Sequence, residues 1–337
     1  ESVSGIDVLD IDMGADTNRT VVTFIGGPNI ISEAAFQGVK RASELIDMQT
    51  HEGTHPRMGA TDVCPFIPVA NVSMDECIEI AKKTGQRIGT ELNIPVYLYE
   101  NAASNDERRN LATVRSGEYE GLKEKLKDSN WKPDYGGAEF NASAGATAVG
   151  AREFLIAYNI NLNTNDRTYA NEIAYEIRER GRWKREGKIE PFYYKGDVVY
   201  FEENKYPDGN SDFIGGSFEE LSNYYREKYG KDLRKRYDSL GLDPDNLVGK
   251  PVYKEGKFTH VKGLGWVIPE YNRAQISMNL TNYKISPLHE IFDIACIEAE
   301  KRGIRVTGSE IVGLIPYDAM KDAAEHYLSK MHKSPGL

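Results

Sequence analysis

The chain has 337 residues, 40% of them hydrophobic and 28% charged, with a net charge of −10. This is the composition of a globular protein with enough length for two domains and their cores. The acidity disfavours nucleic acid as a partner, because holding phosphates needs a basic face.

IDVLDID (6–12) and RTVVTFIG (19–26) read as strands joined by the turn-forming MGADTN. A helix is expected over 28–48, with Pro28 near its start, and a short strand over 62–70 whose prolines place it at an edge or bulge. Ser73 and Glu76 spell a capping box for a helix running to about Leu92, and PVYLYE (95–100) is a further strand. A charged polar stretch (101–135) leads into DYGGAEFNASAGATAVG (134–150). Those small residues lack a core period and read as a loop lying close to a ligand or another domain.

In the second half, FLIAYNINL (154–162) reads as a strand and 164–180 as a helix. VKGLGWVI (261–268) and RAQISMNLT (273–281) form a hairpin turned at PEYN. A helix over 286–303 is expected to be capped by Ser286 and ended by Gly303, before a closing strand over 304–314. The order β-α-β-β-α-β is the split βαβ, or ferredoxin-like, pattern. The first half resembles the same unit without an opening strand and helix. The expected fold is therefore α/β (α+β): two ferredoxin-like subdomains, 1–150 and 151–337, sheets facing each other and helices outside. A tyrosine-rich segment at about 183–260 lies out of register and reads as an insertion carrying one charged amphipathic helix, FEELSNYYREKYGKDLRKRY.

No apolar run approaches the roughly 20 residues that span a bilayer, and the first residues lack an export signal, so a cytoplasmic protein is expected. Cys64, Cys77 and Cys296 have no close spacing and read as unpaired buried thiols.

HEGTHPRMG (51–59) contains His-Glu-x-x-His, the spelling of a zinc-protease helix. A helix there is opposed by Gly53, which costs roughly 1 kcal/mol relative to alanine, and by Pro56, which turns His55 away from helical angles. No apolar period would dock such a helix, so no metal is expected. A loop histidine is a different matter, because an imidazole takes and returns a proton near neutral pH. Arg57, Asp62, Asp10 and Asp12 are its suggestive neighbours.

Long strings of this chain resemble the glutamate formiminotransferase family: LDIDMGADTNRTVVTFIGGP, LIDMQTHEGTHPRMGATDVCPFIPVANVSMDECIEIAKKTGQR, GATAVGAREFLIAYNINL, AQISMNLTNY and GSEIVGLIPYDAM. The similarity spans nearly everything except 183–260. It implies transfer of a formimino group from N-formimino-L-glutamate to nitrogen-5 of tetrahydrofolate, in histidine degradation. It also implies two α/β subdomains with a ligand tunnel between them, a homodimer, and a monofunctional enzyme without the fused cyclodeaminase domain. The family's catalytic histidine precedes Pro-Arg-Met-Gly, which is His55 rather than His51. Asp12 is the candidate carboxylate for the cationic adduct, and Arg57 and Arg19 are candidate forks for substrate carboxylates. The family's folate-binding stretch falls on Gly136, Gly137, Ala138, Glu139, Phe140, Asn141, Ala142, Ser143, Ala144 and Gly145; Asn141, Ala142 and Ala144 depart from its usual pattern. A formyl donor on the same fold, or a non-catalytic folate-binding protein, are the rival expectations.

Overall fold

A computed structural model describes residues 3–14, 18–53, 55–187 and 196–331. Part of the turn expected at 13–18 and part of the tyrosine-rich segment lie outside the described residues. The chain divides into two compact units, Glu1–Phe154 and Leu155–Leu337.

In the first unit, β1 (Ile6–Gly14) and β2 (Arg19–Gly26) form an antiparallel hairpin. Helix α1 (Ile31–Leu45) follows and buries Ala35, Phe36 and Val39. β3 (Val63–Phe66) leads to α2 (Met74–Glu91), where Ser73 and Glu76 complete the capping box: Glu76 N–H donates to Ser73 Oγ at 3.2 Å and Ser73 N–H to Glu76 Oε2 at 2.8 Å. After β4 (Val96–Glu100), the charged polar stretch supplies two short helices, α3 (Leu111–Val114) and α4 (Glu118–Lys125). Lys125 Nζ reaches back to the Val114 carbonyl at 2.6 Å and lies 3.9 Å over the Trp131 ring; burial pushes its ammonium pKa down to about 8.

The small-residue run does not end as a loop. Its last residues form β5 (Thr147–Ala151), buried throughout, at the centre of a parallel sheet ordered β3-β5-β4. Pro65 sits on an edge strand, where a missing N–H is tolerated. The hairpin β1–β2 is a sheet of its own. The first unit is thus α/β but departs from the split βαβ expected of it, because helical crossovers make its three-stranded sheet parallel and, among the described residues, the hairpin pairs with no other strand.

The second unit follows the expected pattern. β6 (Ile156–Leu162), α5 (Arg167–Ile177), β7 (Val261–Ile268), β8 (Arg273–Leu280), α8 (Leu288–Lys301) and β9 (Val306–Val312) give an antiparallel sheet ordered β7-β8-β6-β9. Helices α5 and α8 pack on the face that carries Ile156, Tyr158, Ile160, Ile276 and Met278. Gly265 lets α5 approach β7: a Cβ there would lie 2.3 Å from Asn171 N. A last helix, α9 (Tyr317–Lys330), went unexpected because its buried residues, Ala319 and Ala323, are small.

Two expectations at helix ends change. FEELSNYYREKYGKDLRKRY is two helices, α6 (Phe218–Tyr229) and α7 (Leu233–Ser239), broken by Gly230 at φ +65° and restarted by Asp232. Ser286 does not cap α8; its hydroxyl donates to the Thr259 carbonyl, and Pro287 stands at the cap. The inserted segment gathers Phe201, Leu221, Tyr225, Leu233, Tyr237, Leu247, Val252 and Tyr253 into a small core of its own.

On α8, Glu298 is 4% exposed and accepts from Arg302 at 2.7 Å, Lys301 at 2.9 Å and Lys257 at 3.0 Å. Burial opposes its ionisation, but these hydrogen bonds outweigh it and hold the carboxyl at about 2. Against an ordinary glutamate near 4.3, the charge stabilises the fold above that pH, and this contribution fades as pH falls towards 2. Glu298→Gln is therefore expected to lose about 3–5 kcal/mol in urea unfolding at neutral pH, and the difference from wild type should narrow below about pH 4.

Candidate functional site

Among the described residues, those around HPRMG form no helix, so they do not present the helical face that His-Glu-x-x-His needs. His51 Nε2 instead sits 2.9 Å from the Asn18 carbonyl. What fixes this loop is backbone. Gly59 pairs with Gly145, Ala146 N–H donates to the Met58 carbonyl at 2.9 Å, and Ala60 N–H donates to the Ala144 carbonyl at 2.9 Å. The loop bearing His55 therefore lies directly against the end of the Gly136–Gly145 stretch. Neither glycine has room for a side chain: a Cβ on Gly59 would sit 2.2 Å from Ala146 O, and one on Gly145 2.2 Å from Met58 O.

Within that stretch, Asn141 Oδ1 accepts from Ala144 N–H at 3.0 Å and from Ser143 Oγ at 3.2 Å, and its Nδ2 donates to the Asn93 carbonyl. The departure at Asn141 thus has a local task, holding the turn. Gly136 takes φ +80° beside the Ile94 carbonyl, and Phe140 packs on Tyr119 with ring centroids 5.5 Å apart. Met48 N–H ties the end of α1 to the Ser143 carbonyl. Gly136, Gly137, Ala138, Glu139 and Ser143 are the exposed residues of the stretch.

His55 has two partners. Arg19 Nη1 lies 2.6 Å from its Nε2, and its Nδ1 lies 2.7 Å from the Pro56 carbonyl. A guanidinium has no lone pair to offer, so Nε2 accepts from Arg19 and Nδ1–H donates to Pro56. That is a neutral imidazole in one tautomer. Burial is the largest influence on its pKa and lowers it; Arg19 and Arg115 lower it further, against weaker raising by the Pro56 hydrogen bond and Asp62. Arg115 pairs with Asp62, whose other oxygen accepts from Met58 N–H at 3.1 Å and closes the loop. Asp12 and Arg19 project from the same face of the hairpin, since Asp12 pairs with Val21 and Gly14 with Arg19, and Asp12 adds to the field that keeps Arg19 charged. Arg19, Arg115 and Asp62 thus act on one uncharged imidazole, and Asp12 acts on Arg19.

Arg57 is arranged differently from expectation. Its guanidinium makes a bidentate pair with Glu120, at 2.7 and 2.9 Å, and also donates to the His51 carbonyl at 3.1 Å. Its fork is filled, so it anchors α4 to the loop instead of standing open to a substrate carboxylate. An open cavity of about 460 Å³ beside this pair is lined by Glu52, Gly53, Arg57, Gly117, Glu118 and Glu120. Its acidic rim does not suit a dicarboxylate, and neither His55 nor Arg19 lines it. Arg115, Tyr119 and Glu120 escaped the sequence reading. They come from a charged stretch with no motif, and only the folded chain brings them to the loop.

A family model described as the formiminotransferase domain, N-terminal subdomain, matches residues 1–152, and one described as the formiminotransferase domain matches 157–335. The chain belongs to the formiminotransferase family. It is 36% identical to the glutamate formimidoyltransferase of Streptococcus pyogenes serotype M1, over 97% of this chain and 85% of that protein. It is 35% identical to that of Thermoplasma acidophilum, over 97% and 84%. With the formimidoyltransferase-cyclodeaminase of Dictyostelium discoideum it shares 39% identity over 97% of this chain and 48% of the relative. The chain spans about half the length of such formimidoyltransferase-cyclodeaminase relatives.

For this family member, replacing Arg19 by glutamine removes a cation that lowers the His55 pKa. The imidazole signals of Arg19→Gln in a proton NMR titration should therefore move to a higher midpoint than in wild type. The loop contact makes a separate prediction. Gly145→Ala, at φ +67° and against a carbonyl, should lower stability by about 1–3 kcal/mol. Gly137→Ala, with its nearest atom 3.7 Å away, should stay within about 0.5 kcal/mol in the same denaturation experiment.

Proposed function

We propose that this chain transfers the formimino group from N-formimino-L-glutamate to nitrogen-5 of tetrahydrofolate, giving 5-formiminotetrahydrofolate and L-glutamate. The observation that carries the reading is the neutral His55, its Nε2 lone pair held at Arg19 and its loop locked to the Gly136–Gly145 stretch. Membership of the formiminotransferase family and the printed activity of the Streptococcus and Thermoplasma relatives supply the substrates.

The chemistry fits the groups present. Nitrogen-5 attacks the amidine carbon and loses a proton to Nε2. The tetrahedral adduct then collapses as the imidazolium returns that proton to the departing glutamate nitrogen, and the carbon–nitrogen bond to glutamate breaks. The positive charge of the protonated amidine passes through the adduct to the imidazolium, and the Asp12 carboxylate stabilises it from the hairpin face. Nε2 must first be released by Arg19. A carboxylate is a stronger acceptor for a guanidinium than an imidazole is, so the glutamate part of the donor draws Arg19 away and unmasks the base as it binds. Arg19 then serves as the substrate fork expected of it.

The backbone of Gly136–Gly145 offers the folate its contacts in this reading. The proton transfers need no metal, so tetrahydrofolate is the co-substrate and there is no resident cofactor. The family resemblance extends the proposal to a homodimer acting in the cytoplasm; among the described residues no helix is long and apolar enough to cross a membrane.

Incubation with tetrahydrofolate and formiminoglutamate, then acid conversion to the coloured methenyl form, measures the reaction, with N-formylglutamate as the competing donor. His55→Ala should keep substrate binding and lose about 10²–10⁴-fold in kcat. Near-normal turnover by that variant would remove His55 as the proton carrier.

A further inference from the structure

Helices cover one face of the sheet in the second unit, and the opposite face carries an array of amides. Side chains alternate along a strand, so Asn159 and Asn161 on β6 point away from the core residues Tyr158 and Ile160, as does Gln275 on β8. Trp266 pairs across from Gln275, Gln275 from Asn161, and Asn159 from Glu310 on β9, so all four strands contribute.

The hydrogen bonds run one way. Trp266 Nε1–H donates to Gln275 Oε1 at 2.8 Å, and Gln275 Nε2 donates to Asn161 Oδ1 at 2.8 Å and to Glu310 Oε2 at 3.3 Å. Asn159 Nδ2 donates to the same Glu310 oxygen at 3.3 Å. Gln275 is 1% exposed and Asn159 8%, so the two braces are buried while the carboxylate they hold is exposed. Among the described residues no lysine or arginine pairs with Glu310, and both hydrogen bonds it accepts fall on Oε2. The neighbouring Gly308 leaves open space where a side chain would stand. At the far edge, about 14 Å away at the usual strand spacing, Trp266 and Leu264 are 44% and 47% exposed.

An exposed carboxylate needs no such bracing to be solvated. Fixing its orientation with two buried amides prepares it to accept a matched pair of donors in place of water, and no lysine or arginine among the described residues supplies them. A planar N–C–N group carrying two N–H donors matches a carboxylate in width and geometry, as a guanidinium does. Both molecules of the proposed reaction carry one: the 2-amino-pyrimidinone edge of the reduced pterin and the amidine of the formimino donor. Resting on that proposed function, we infer that the amide-braced Glu310 carboxylate is a subsite for a planar N–C–N donor pair.

The test uses the full chain and Glu310→Gln, an isosteric change. Calorimetric titration with tetrahydrofolate, kept anaerobic, is paired with an analogue whose 2-amino group is replaced by methyl, and the KM for formiminoglutamate is measured alongside. If the pterin edge is the ligand, Glu310→Gln weakens tetrahydrofolate about 10- to 100-fold and leaves the donor KM unchanged. Wild type then discriminates against the analogue by a similar factor, while the variant does not; that discrimination needs no variant and holds even if Glu310→Gln folds poorly. If the amidine is the ligand, the donor KM rises instead and tetrahydrofolate binding is untouched. Affinity and KM both within twofold of wild type, together with no discrimination against the analogue, overturn the subsite. Wild-type protein that discriminates between the pterins yet transfers no formimino group keeps the subsite and sinks the transferase reading.

Discussion

Two stretches of backbone touching without a side chain between them hold the candidate site together. The Gly59–Gly145 contact is possible only because each residue lacks a Cβ, and it is closed on both sides by amide-to-carbonyl bonds. The consequences run outward from it. The Gly136–Gly145 stretch is held at its far end by α2, where a Cβ on Gly89 would lie 2.4 Å from Gly136 N, and it continues into the buried strand β5. The His55 loop runs on to Asp62, which directly precedes β3, accepts from Met58 N–H through its side chain and from Ala148 N–H of β5 through its carbonyl. A loop in general is mobile. This one is clamped between a helix and a sheet, which allows a histidine to be aimed.

The electrostatics follow from that placement. A half-buried imidazole beside two guanidinium groups is kept neutral, and neutrality is the state a base requires. The same arrangement has a cost, because the nearer guanidinium occupies the lone pair the base would use. Asp62 and Asp12 keep the cluster from accumulating positive charge, and Arg57 is withheld from it by Glu120. The arginine nearest the base is the one that a bound carboxylate would redirect, so masking and recognition fall to a single side chain.

Much of this was legible in the sequence where a local rule decides. The capping box at Ser73, the hairpin turned at 269–272, and the β-α-β-β-α-β order of the second unit each rest on nearby residues, and each appears in the structure. The expectations that failed depend on distant partners. Nothing within IDVLDID states that its hairpin will form a sheet of its own among the described residues, and nothing within GATAVGA states that small residues will form a central strand packed on Tyr99. Ser286 has the identity of a cap but finds the Thr259 carbonyl first. At the site, His55, Arg19 and Asp12 were named in advance, with the resemblance supplying the histidine's role. Arg115, Tyr119 and Glu120 were not, because a charged stretch looks the same whether it faces solvent or a loop. Arg57 was named for a fork that a glutamate 63 residues away already fills.

The two units use different supports for different demands. In the proposed reaction the base exchanges partners, from Arg19 to a substrate nitrogen and on to a leaving group, and a clamped loop permits small movements of one side chain. A recognition carboxylate must not move, since its selectivity depends on refusing ligands that lack the second donor. Glu310 accordingly stands on a four-stranded sheet and is braced by amides from the adjacent strand β6 and from β8 beyond it. Its brace is sensitive to polarity rather than to volume. Gln275 gives its carbonyl to Trp266 and both N–H groups to Asn161 and Glu310, so turning that amide over would set like against like at three contacts. Stiffness in the array comes from that saturation, which an apolar face of the same shape would not provide.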